Sequence, residues 1–158
     1  MKKNCSESVV IMTELVLPHH TNHIGTLLGG QLMHWIDICA AMAAGRHAGN
    51  VCVTASVDKI DFHYSARLGD IVTLLASVNR AFNTSMEVGV KVYSENIKTG
   101  KKIHTNSAYL TFVSVDENLK PSKTNELIPQ TEEEKRRYEN AFLRRKNRLL
   151  NNNSVSSA

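Results

Sequence analysis

The stretch TNHIGTLLGGQLMHWIDICAAMAAGRHAG, residues 21–49 of the 158-residue chain, decides the fold and contains one unexpected residue, Asp37. Helix-forming residues dominate it, and Gly49 is well placed to end a helix, so we predict a helix from Gln31 to about His47. One apolar stripe recurs at helical spacing: Leu32, Ile36, Cys39 and Ala43. A carboxylate is unusual in such an apolar segment and therefore needs a physical reason.

Asp37 shares a helix face with Met33, Ala41 and Ala44, away from the main stripe. Acidic residues within helices usually face solvent, so a solvated aspartate remains one interpretation. A helix that is apolar on nearly all sides is either central in its fold or packed against another subunit. A carboxylate enclosed there is the usual setting for a general base or a nucleophile, which is the second interpretation.

Gly29 and Gly30 precede the predicted helix and leave backbone N–H groups unobstructed at its positive end. Such donors can hold a carbonyl oxygen that becomes negatively charged, although a simple tight turn is the alternative. Gly30 and Asp37 are seven residues apart, roughly 10 Å along a helix axis. Two antiparallel helices across a two-fold axis would bring Asp37 of one protomer towards Gly30 of the other, which predicts a homodimer.

Runs with period-two alternation surround this helix and predict an antiparallel sheet with one buried face. The predicted strands are Val9–Leu17, Val51–Phe62, Asp70–Phe82, Met86–Glu95 and Ile103–Val115. The breaks between the last three are short and fit hairpins. Thr131 is placed to cap a charged second helix reaching about Leu150. We therefore expect a globular domain over residues 8–120, a charged extension over 121–150 and a disordered tail over 151–158.

The composition, with 42% hydrophobic and 22% charged residues, is typical of a soluble globular protein. No apolar run reaches the roughly 20 residues of a membrane span, and no signal-peptide pattern is visible. The three cysteines have no metal-like spacing, and Cys39 and Cys52 are predicted to be reduced core residues of a cytoplasmic protein. The net charge of +4 is concentrated near the C-terminus and suggests an anionic partner.

Three blocks of sequence, NHIGTLLGGQLMHWID, VTASVDKIDF and FNTSMEVGVKV, occur in order and together resemble the hotdog-fold acyl-CoA thioesterases. The resembling branch contains the cytosolic acyl-CoA and acetyl-CoA hydrolases and the brown-fat-inducible thioesterase of animals, with single-domain bacterial relatives. The likeness covers residues 9–115, and LIPQTEEEKRRYENAFLRRKNRL resembles the tail that follows the domain. It implies an α+β hotdog fold, with an antiparallel sheet of about five strands around a long central helix and a charged C-terminal helix.

The resemblance implies hydrolysis of acyl-CoA thioesters to a carboxylic acid and CoA. Asp37 would then act as base or nucleophile on water, and Asn22 from the partner chain would orient the water or the thioester. The N–H of Gly30 would polarise the thioester carbonyl. From the residues alone, Asn22 is equally a loop residue that forms an Asx-turn.

CoA carries phosphates, and the resemblance implies binding segments in the strand after the helix, in one hairpin and in the tail helix. The implied contacts are Ala55, Ser56, Val57, Thr84, Ser85 and Arg145. The alternative for Arg145, with Arg144 and Arg148, is a solvated charged face. CoA is part of the substrate and product, so we expect no separate cofactor. No metal site is expected either, although His19, His20 and His23 form a His-rich loop.

Two other functions remain in competition. A hotdog hydratase usually carries a second acid or base a few residues after its aspartate, and residues 38–42 here contain none. A non-catalytic acyl-CoA-sensing module is the rival from another class. The expected partners are acyl-CoA and further copies of the chain, as a homodimer or a trimer of dimers, with neither nucleic acid nor membrane. The segment FHYSARLGD departs from the family pattern and leaves acyl selectivity unpredicted.

Overall fold

A five-stranded antiparallel sheet with the strand order β2-β4-β5-β6-β3 forms the framework of the protein. The computed structural model describes residues 1–58 and 60–155. The strands are β1 (Lys2–Asn4), β2 (Val10–Leu15), β3 (Cys52–Val57), β4 (Ile71–Ala81), β5 (Ser85–Glu95), β6 (Lys102–Ser114) and β7 (Glu126–Ile128), and the helices are α1 (Gly29–Ala48) and α2 (Glu132–Val155). β1 and β7 form a small parallel pair beside the main sheet.

Helix α1 lies on one face of the sheet and begins two residues before the predicted start. Gly29 and Gly30 already adopt helical conformation, and Gly49 ends the helix with a φ of 67°, a left-handed conformation that favours glycine. The predicted apolar stripe is confirmed, because all four of its residues are fully or nearly fully buried: Leu32, Ile36, Cys39 and Ala43. This stripe fixes the helix against the inner face of the sheet.

The inner face of the sheet shows the predicted period-two alternation. Its buried residues include Val72, Leu74, Ala76 and Val78 on β4, Met86, Val88, Val90 and Val92 on β5, and Ala108, Leu110 and Phe112 on β6. β4–β5 and β5–β6 pair as antiparallel neighbours over short connections, which confirms the predicted hairpins. Neighbouring outward residues, such as Glu87 and Tyr109, therefore face away from α1.

Strand β3 is shorter than the predicted strand Val51–Phe62, and that prediction is wrong beyond Val57. The pairing of β3 with β6 shifts register at Ala55, and the chain then leaves the sheet. Asn106 of β6 donates its side-chain amide to the Asp61 carbonyl at 2.6 Å, so a side chain replaces the backbone ladder there. Lys59 lies outside the described residues. Within the described chain, β3 pairs with β6 on one side only, so its other edge is free.

Helix α2 begins as predicted, with Thr131 and Glu134 exchanging hydrogen bonds in a capping box. This charged helix packs on the outer face of the sheet, where it buries Ala141 and where Arg144 binds Glu87, while its other residues are exposed or half-buried. The helix continues to Val155, so residues 151–155 are helical where disorder was expected. Residues 156–158 of that predicted tail lie outside the described residues. Neither helix is both long and apolar enough to cross a membrane.

The cysteines are free thiols, and Cys5 and Cys39 are buried in the core. Cys52 is half-buried. Burial raises the pKa of the Cys39 and Cys52 thiols to about 11. Both side chains are therefore protonated at neutral pH. Cys39 is a core residue as predicted, whereas Cys52 only borders the core.

His47 lies fully buried in the last turn of α1, where it joins the helix to the segment before β7. Its Nε2 lies 2.8 Å from the carbonyl oxygen of Asn125, and the Asn125 side-chain amide donates to the carbonyls of His47 and Ala48. Burial lowers the pKa of His47, because the imidazolium would lose its hydration.

The lowered pKa of His47 predicts acid-sensitive stability. In the unfolded chain the imidazole titrates near pH 6.5, so below about that pH the unfolded state binds more protons and gains relative to the folded state. Above about pH 6.5 the imidazole is neutral in both states, and the protein has its full stability. As the pH falls below that value, the free energy of unfolding decreases. We expect urea denaturation to give a lower free energy of unfolding at pH 5 than at pH 7.

The variant His47→Gln should show a clearly smaller decrease over the same pH interval, even if it is less stable at pH 7. His104→Gln alters an exposed histidine and serves as the matched control, which should keep the wild-type dependence. An equal pH dependence in wild type and His47→Gln would contradict this explanation.

Candidate active site

Asp37 projects from the middle of α1 towards the start of β3, where it meets Thr54. The Thr54 hydroxyl donates a hydrogen bond of 2.7 Å to Asp37 Oδ1. Asp37 Oδ2 accepts no hydrogen bond from any residue that the structure describes, and the side chain is half-buried. One carboxylate oxygen is therefore fixed against the sheet, while the other remains available to an incoming group.

Thr54 was not singled out from the sequence. It stands directly before Ala55 in the block VTASVDKIDF, and a threonine in a strand is ordinarily a residue with high β-propensity. Only its contact with Asp37, which lies seventeen residues earlier in the chain, distinguishes Thr54 from other strand threonines.

The face of α1 around Asp37 is apolar and uncovered within the chain. Ile38 is 38% exposed and Met42 is 42% exposed. On the adjoining free-edge strand β3, Val53 is 45% exposed and Val57 is 42% exposed. The sequence left two possibilities for a helix apolar on most sides, and the exposed residues favour packing against another subunit.

Gly30 lies in the first turn of α1 and is exposed. The residue before the helix, Leu28, provides no side-chain cap, and the Leu32 N–H is the first to donate back along the helix, to Leu28 O. The Gly30 N–H donates to no described residue, and apart from the neighbouring residues and the backbone of the helix itself, no atom lies within 4 Å of the position that a β-carbon would occupy. This helix end can therefore accept a negatively charged oxygen.

Asn22 lies in the loop that leads to α1, and its side chain organises that loop. Its Oδ1 accepts hydrogen bonds from the N–H groups of Ile24 and Thr26, and its Nδ2 donates to the Thr26 hydroxyl. These bonds form the Asx-turn that the sequence left as an alternative. The part predicted for Asn22 in orienting water or the thioester remains a prediction.

The predicted CoA-binding residues lie along one end of the sheet. Ala55, Ser56 and Val57 are on β3, and the Thr84–Ser85 segment is the β4–β5 turn. Ser85 pairs with Val113 of β6, and Val113 pairs with Val53 of β3, so the turn and the strand share one row of the sheet. Neighbouring strands are about 4.8 Å apart, so roughly 10 Å separates Ser85 from Val53, and the predicted residues 55–57 follow Val53 along β3.

Arg145 of α2 also reaches this end, with its guanidinium 4.0 Å from the ring centroid of Phe82, just before the turn. It has no carboxylate partner among the described residues. The alternative of a solvated arginine face is wrong for its neighbours, since Arg148 pairs with Asp58 at 3.2 Å. Arg144 makes two hydrogen bonds to buried Glu87, at 2.6 and 3.0 Å.

The Arg144–Glu87 pair tethers α2 to the outer face of the sheet. The Arg144 guanidinium also lies over the Tyr109 ring at 3.7 Å, and Asn79 donates to Glu87 Oε1 at 3.0 Å. Burial acts to lower the pKa of Arg144, but its hydrogen bonds to Glu87 and the charge of that carboxylate outweigh this and raise the pKa. Through this tether α2 keeps Arg145 beside the β4–β5 turn.

His20 of the histidine-rich loop makes its contacts within the protein. His20 Nδ1 accepts the Leu17 N–H at 3.1 Å, and its ring packs edge-on against Trp35. Over residues 1–58 and 60–155, no three His, Cys, Asp or Glu side chains are grouped so that they could hold a metal ion.

Comparison with known proteins identifies the family. The family model of the thioesterase superfamily matches residues 24–101. Mouse acyl-coenzyme A thioesterase 11 is 49% identical over 141 residues, which are 89% of this chain but only 24% of the mouse protein. A hexameric acyl-CoA thioesterase solved in its apo form is 45% identical, with a TM-score of 0.92, over 95% of this chain and 96% of that one. The chain belongs to the thioesterase superfamily.

This membership confirms the predicted family and its hotdog fold. A further superfamily member, the acyl-CoA hydrolase of Staphylococcus aureus, was solved with butyryl-CoA, CoA and CoA disulfide. It is 36% identical, with a TM-score of 0.89, and the match covers 99% of this chain and 98% of that one. Variants of that hydrolase carry alanine in place of an asparagine, an aspartate and a threonine, spaced 15 and 17 residues apart, as Asn22, Asp37 and Thr54 are here.

The tether between α2 and the sheet predicts a large stability effect. Arg144→Met removes the guanidinium and leaves the Glu87 carboxylate buried without its charge partner, which should cost about 3–5 kcal/mol. Arg145→Met is the matched control, because it loses only stacking on Phe82 and should cost about 1 kcal/mol or less. Urea denaturation measures both values. Equal, small losses in the two variants would show that Glu87 does not depend on Arg144.

Proposed function

We propose that this protein hydrolyses acyl-CoA thioesters to a free carboxylic acid and CoA. The observation that carries the proposal is the Asp37 carboxylate, held by Thr54 on one oxygen and open on the other. The family supports it, since superfamily members similar to this chain include acyl-CoA thioesterases and hydrolases. The S. aureus hydrolase binds butyryl-CoA and CoA, and its substituted residues have the spacing of Asn22, Asp37 and Thr54.

The proposed reaction has two routes that use the same residues. In one, the free oxygen of Asp37 takes a proton from water, and the water oxygen attacks the thioester carbon. In the other, Asp37 attacks the thioester carbon itself, and water then hydrolyses the transient anhydride. In both, the carbonyl oxygen gains negative charge, the carbon–sulfur bond breaks, and the CoA sulfur leaves and is protonated. Thr54 positions Asp37 and holds its charge.

We propose that the site is completed by a second copy of the chain. The seven residues between Gly30 and Asp37 separate these groups by roughly 10 Å along one helix, too far for a single carbonyl to contact both. Antiparallel packing of the exposed Ile38–Met42 faces of two α1 helices would bring Asp37 near the partner's Gly30 and Asn22. It would also bring two free β3 edges together, which covers their unpaired backbone groups.

Higher assembly follows by analogy with the hexameric acyl-CoA thioesterase, so we propose a trimer of such dimers. The phosphates of CoA would bind where β3, the Thr84–Ser85 turn and Arg145 meet. Arg145 is the cation there without a carboxylate partner among the described residues, and guanidinium groups bind phosphate well. CoA enters and leaves with each turnover, so no separate cofactor is proposed. The free cysteines are consistent with a reaction in the cytoplasm.

The proposal is tested by release of free thiol from a panel of acyl-CoAs. Asp37→Asn should lower kcat by about 10²–10⁴-fold, because the amide can neither accept the proton nor attack the carbon. Thr54→Ala removes a hydrogen bond to a charged group and should lower kcat by about 10–100-fold, whereas Thr54→Ser should retain most activity. Asn22→Ala should also lose activity.

Glu14→Gln alters a carboxylate on β2, remote from Asp37, and should leave the rate unchanged. A wild-type rate no higher than that of Asp37→Asn across the whole panel would support the rival function, a non-catalytic acyl-CoA-binding module. Binding of CoA by both proteins without thiol release would complete that case.

The composite site makes a separate prediction about mixed oligomers. In a dimer of one Asp37→Ala chain and one Asn22→Ala chain, one of the two sites carries both substitutions and the other carries none. Random mixing after refolding should therefore restore about a quarter of the wild-type activity. If each site lay within one protomer, the mixture would be as inactive as the two variants alone. Size-exclusion chromatography confirms that mixed oligomers have formed.

A further inference from the structure

We infer that the cavity beside the first turn of α1 receives the acyl chain, and that Phe62 is the residue that limits its length. The inference rests on the proposed thioester hydrolysis and adds the substrate class, short-chain acyl-CoA. It comes from the shape of the chain around Gly29, at the helix end where the thioester carbonyl is proposed to bind.

The cavity is mainly apolar. Its deep walls are buried side chains from three elements, Leu32 of α1, Val72 of β4 and Val92 of β5, with Leu27 beside them. Such a lining suits a hydrocarbon group and gives no ionic partner to a charged one. An acyl chain is the part of an acyl-CoA that needs these surroundings.

The cavity lies beside the proposed carbonyl site. Gly29 lines it and directly precedes Gly30, whose N–H is the proposed carbonyl donor. The Phe62 ring forms one wall of the cavity beside Gly29, with Cζ 3.7 Å and Cε1 3.8 Å from where a β-carbon of Gly29 would stand. The absence of a side chain at residue 29 therefore leaves space between the helix end and the Phe62 ring.

Phe62 is held in this position by its own loop. Asn106 donates its side-chain amide to the carbonyl of Asp61, the residue before Phe62, at 2.6 Å. Asn106 is buried and also lines the cavity. The loop that replaces the predicted end of strand β3 thus places an aromatic wall at the cavity, rather than extending the sheet.

The size of the cavity sets the substrate class. Its volume is about 20 Å³, and a single water needs roughly 10–15 Å³ on the same scale. The cavity therefore has room for about one or two non-hydrogen atoms beyond the thioester carbonyl. Acetyl and propionyl groups are accommodated, whereas a longer chain has to displace a wall. Phe62 is 49% exposed, while Val72 and Val92 are buried, so Phe62 is the wall that can be removed without opening the core.

The test compares kcat/KM for acetyl-, butyryl-, hexanoyl- and octanoyl-CoA in the full-length protein. Wild type should favour acetyl-CoA, with kcat/KM falling as the chain lengthens. Phe62→Ala should raise the octanoyl-to-acetyl ratio of kcat/KM by about tenfold or more. This is the effect on the rate expected when roughly two more methylene groups of the acyl chain become buried. Phe62→Leu should give an intermediate ratio. Phe142→Ala removes an exposed aromatic of α2 and should keep the wild-type ratio.

Thermal melting shows that each variant is folded before its rates are compared. The inference is overturned if wild type releases thiol but Phe62→Ala and Phe142→Ala share its chain-length profile, or if wild type prefers octanoyl-CoA. Either result leaves the proposed hydrolysis standing. Failure of wild type to release thiol from any member of the series would overturn the proposed function, and this inference with it.

Discussion

The hydrogen bond from Thr54 to Asp37 joins the central helix to the edge strand, and the arrangement of the site depends on it. A carboxylate on an apolar helix is costly unless a donor compensates it, and a hydroxyl on the neighbouring strand provides that compensation. The bond occupies one oxygen only. It also joins the middle of α1 to β3, so the carboxylate and the free strand edge lie on the same side of the molecule.

That shared side explains why a single chain leaves so much apolar surface uncovered. Ile38 and Met42 on the helix and Val53 and Val57 on the strand are all more than a third exposed. This surface would lower the solubility of a monomer, whereas a second copy would cover it and bring its own Gly30 N–H, the proposed donor to the thioester carbonyl, near the carboxylate. In the proposed dimer, self-association and catalysis would therefore both depend on this one exposed face.

The outer face of the sheet follows the opposite rule. There the charged groups find their partners within the same chain. Glu87 pairs with Arg144, and Asp58 pairs with Arg148, and both arginines belong to α2. Because these ion pairs join α2 to the sheet, the helix packs against the sheet although it is highly charged. Its position leaves Arg145, between these two paired arginines, directed to the β4–β5 turn.

The sequence by itself determined the elements that depend on local periodicity: helix α1 with its buried stripe, the alternating strands β4 to β6 and the capped start of α2. The order of its motifs also determined the family. Only the tertiary structure decided which partners meet, namely Thr54 with Asp37, Arg144 with Glu87 and Phe62 with Gly29. Periodicity reports which face of an element is buried, but contacts between distant segments depend on strand register and on where a chain leaves the sheet, which no local pattern encodes.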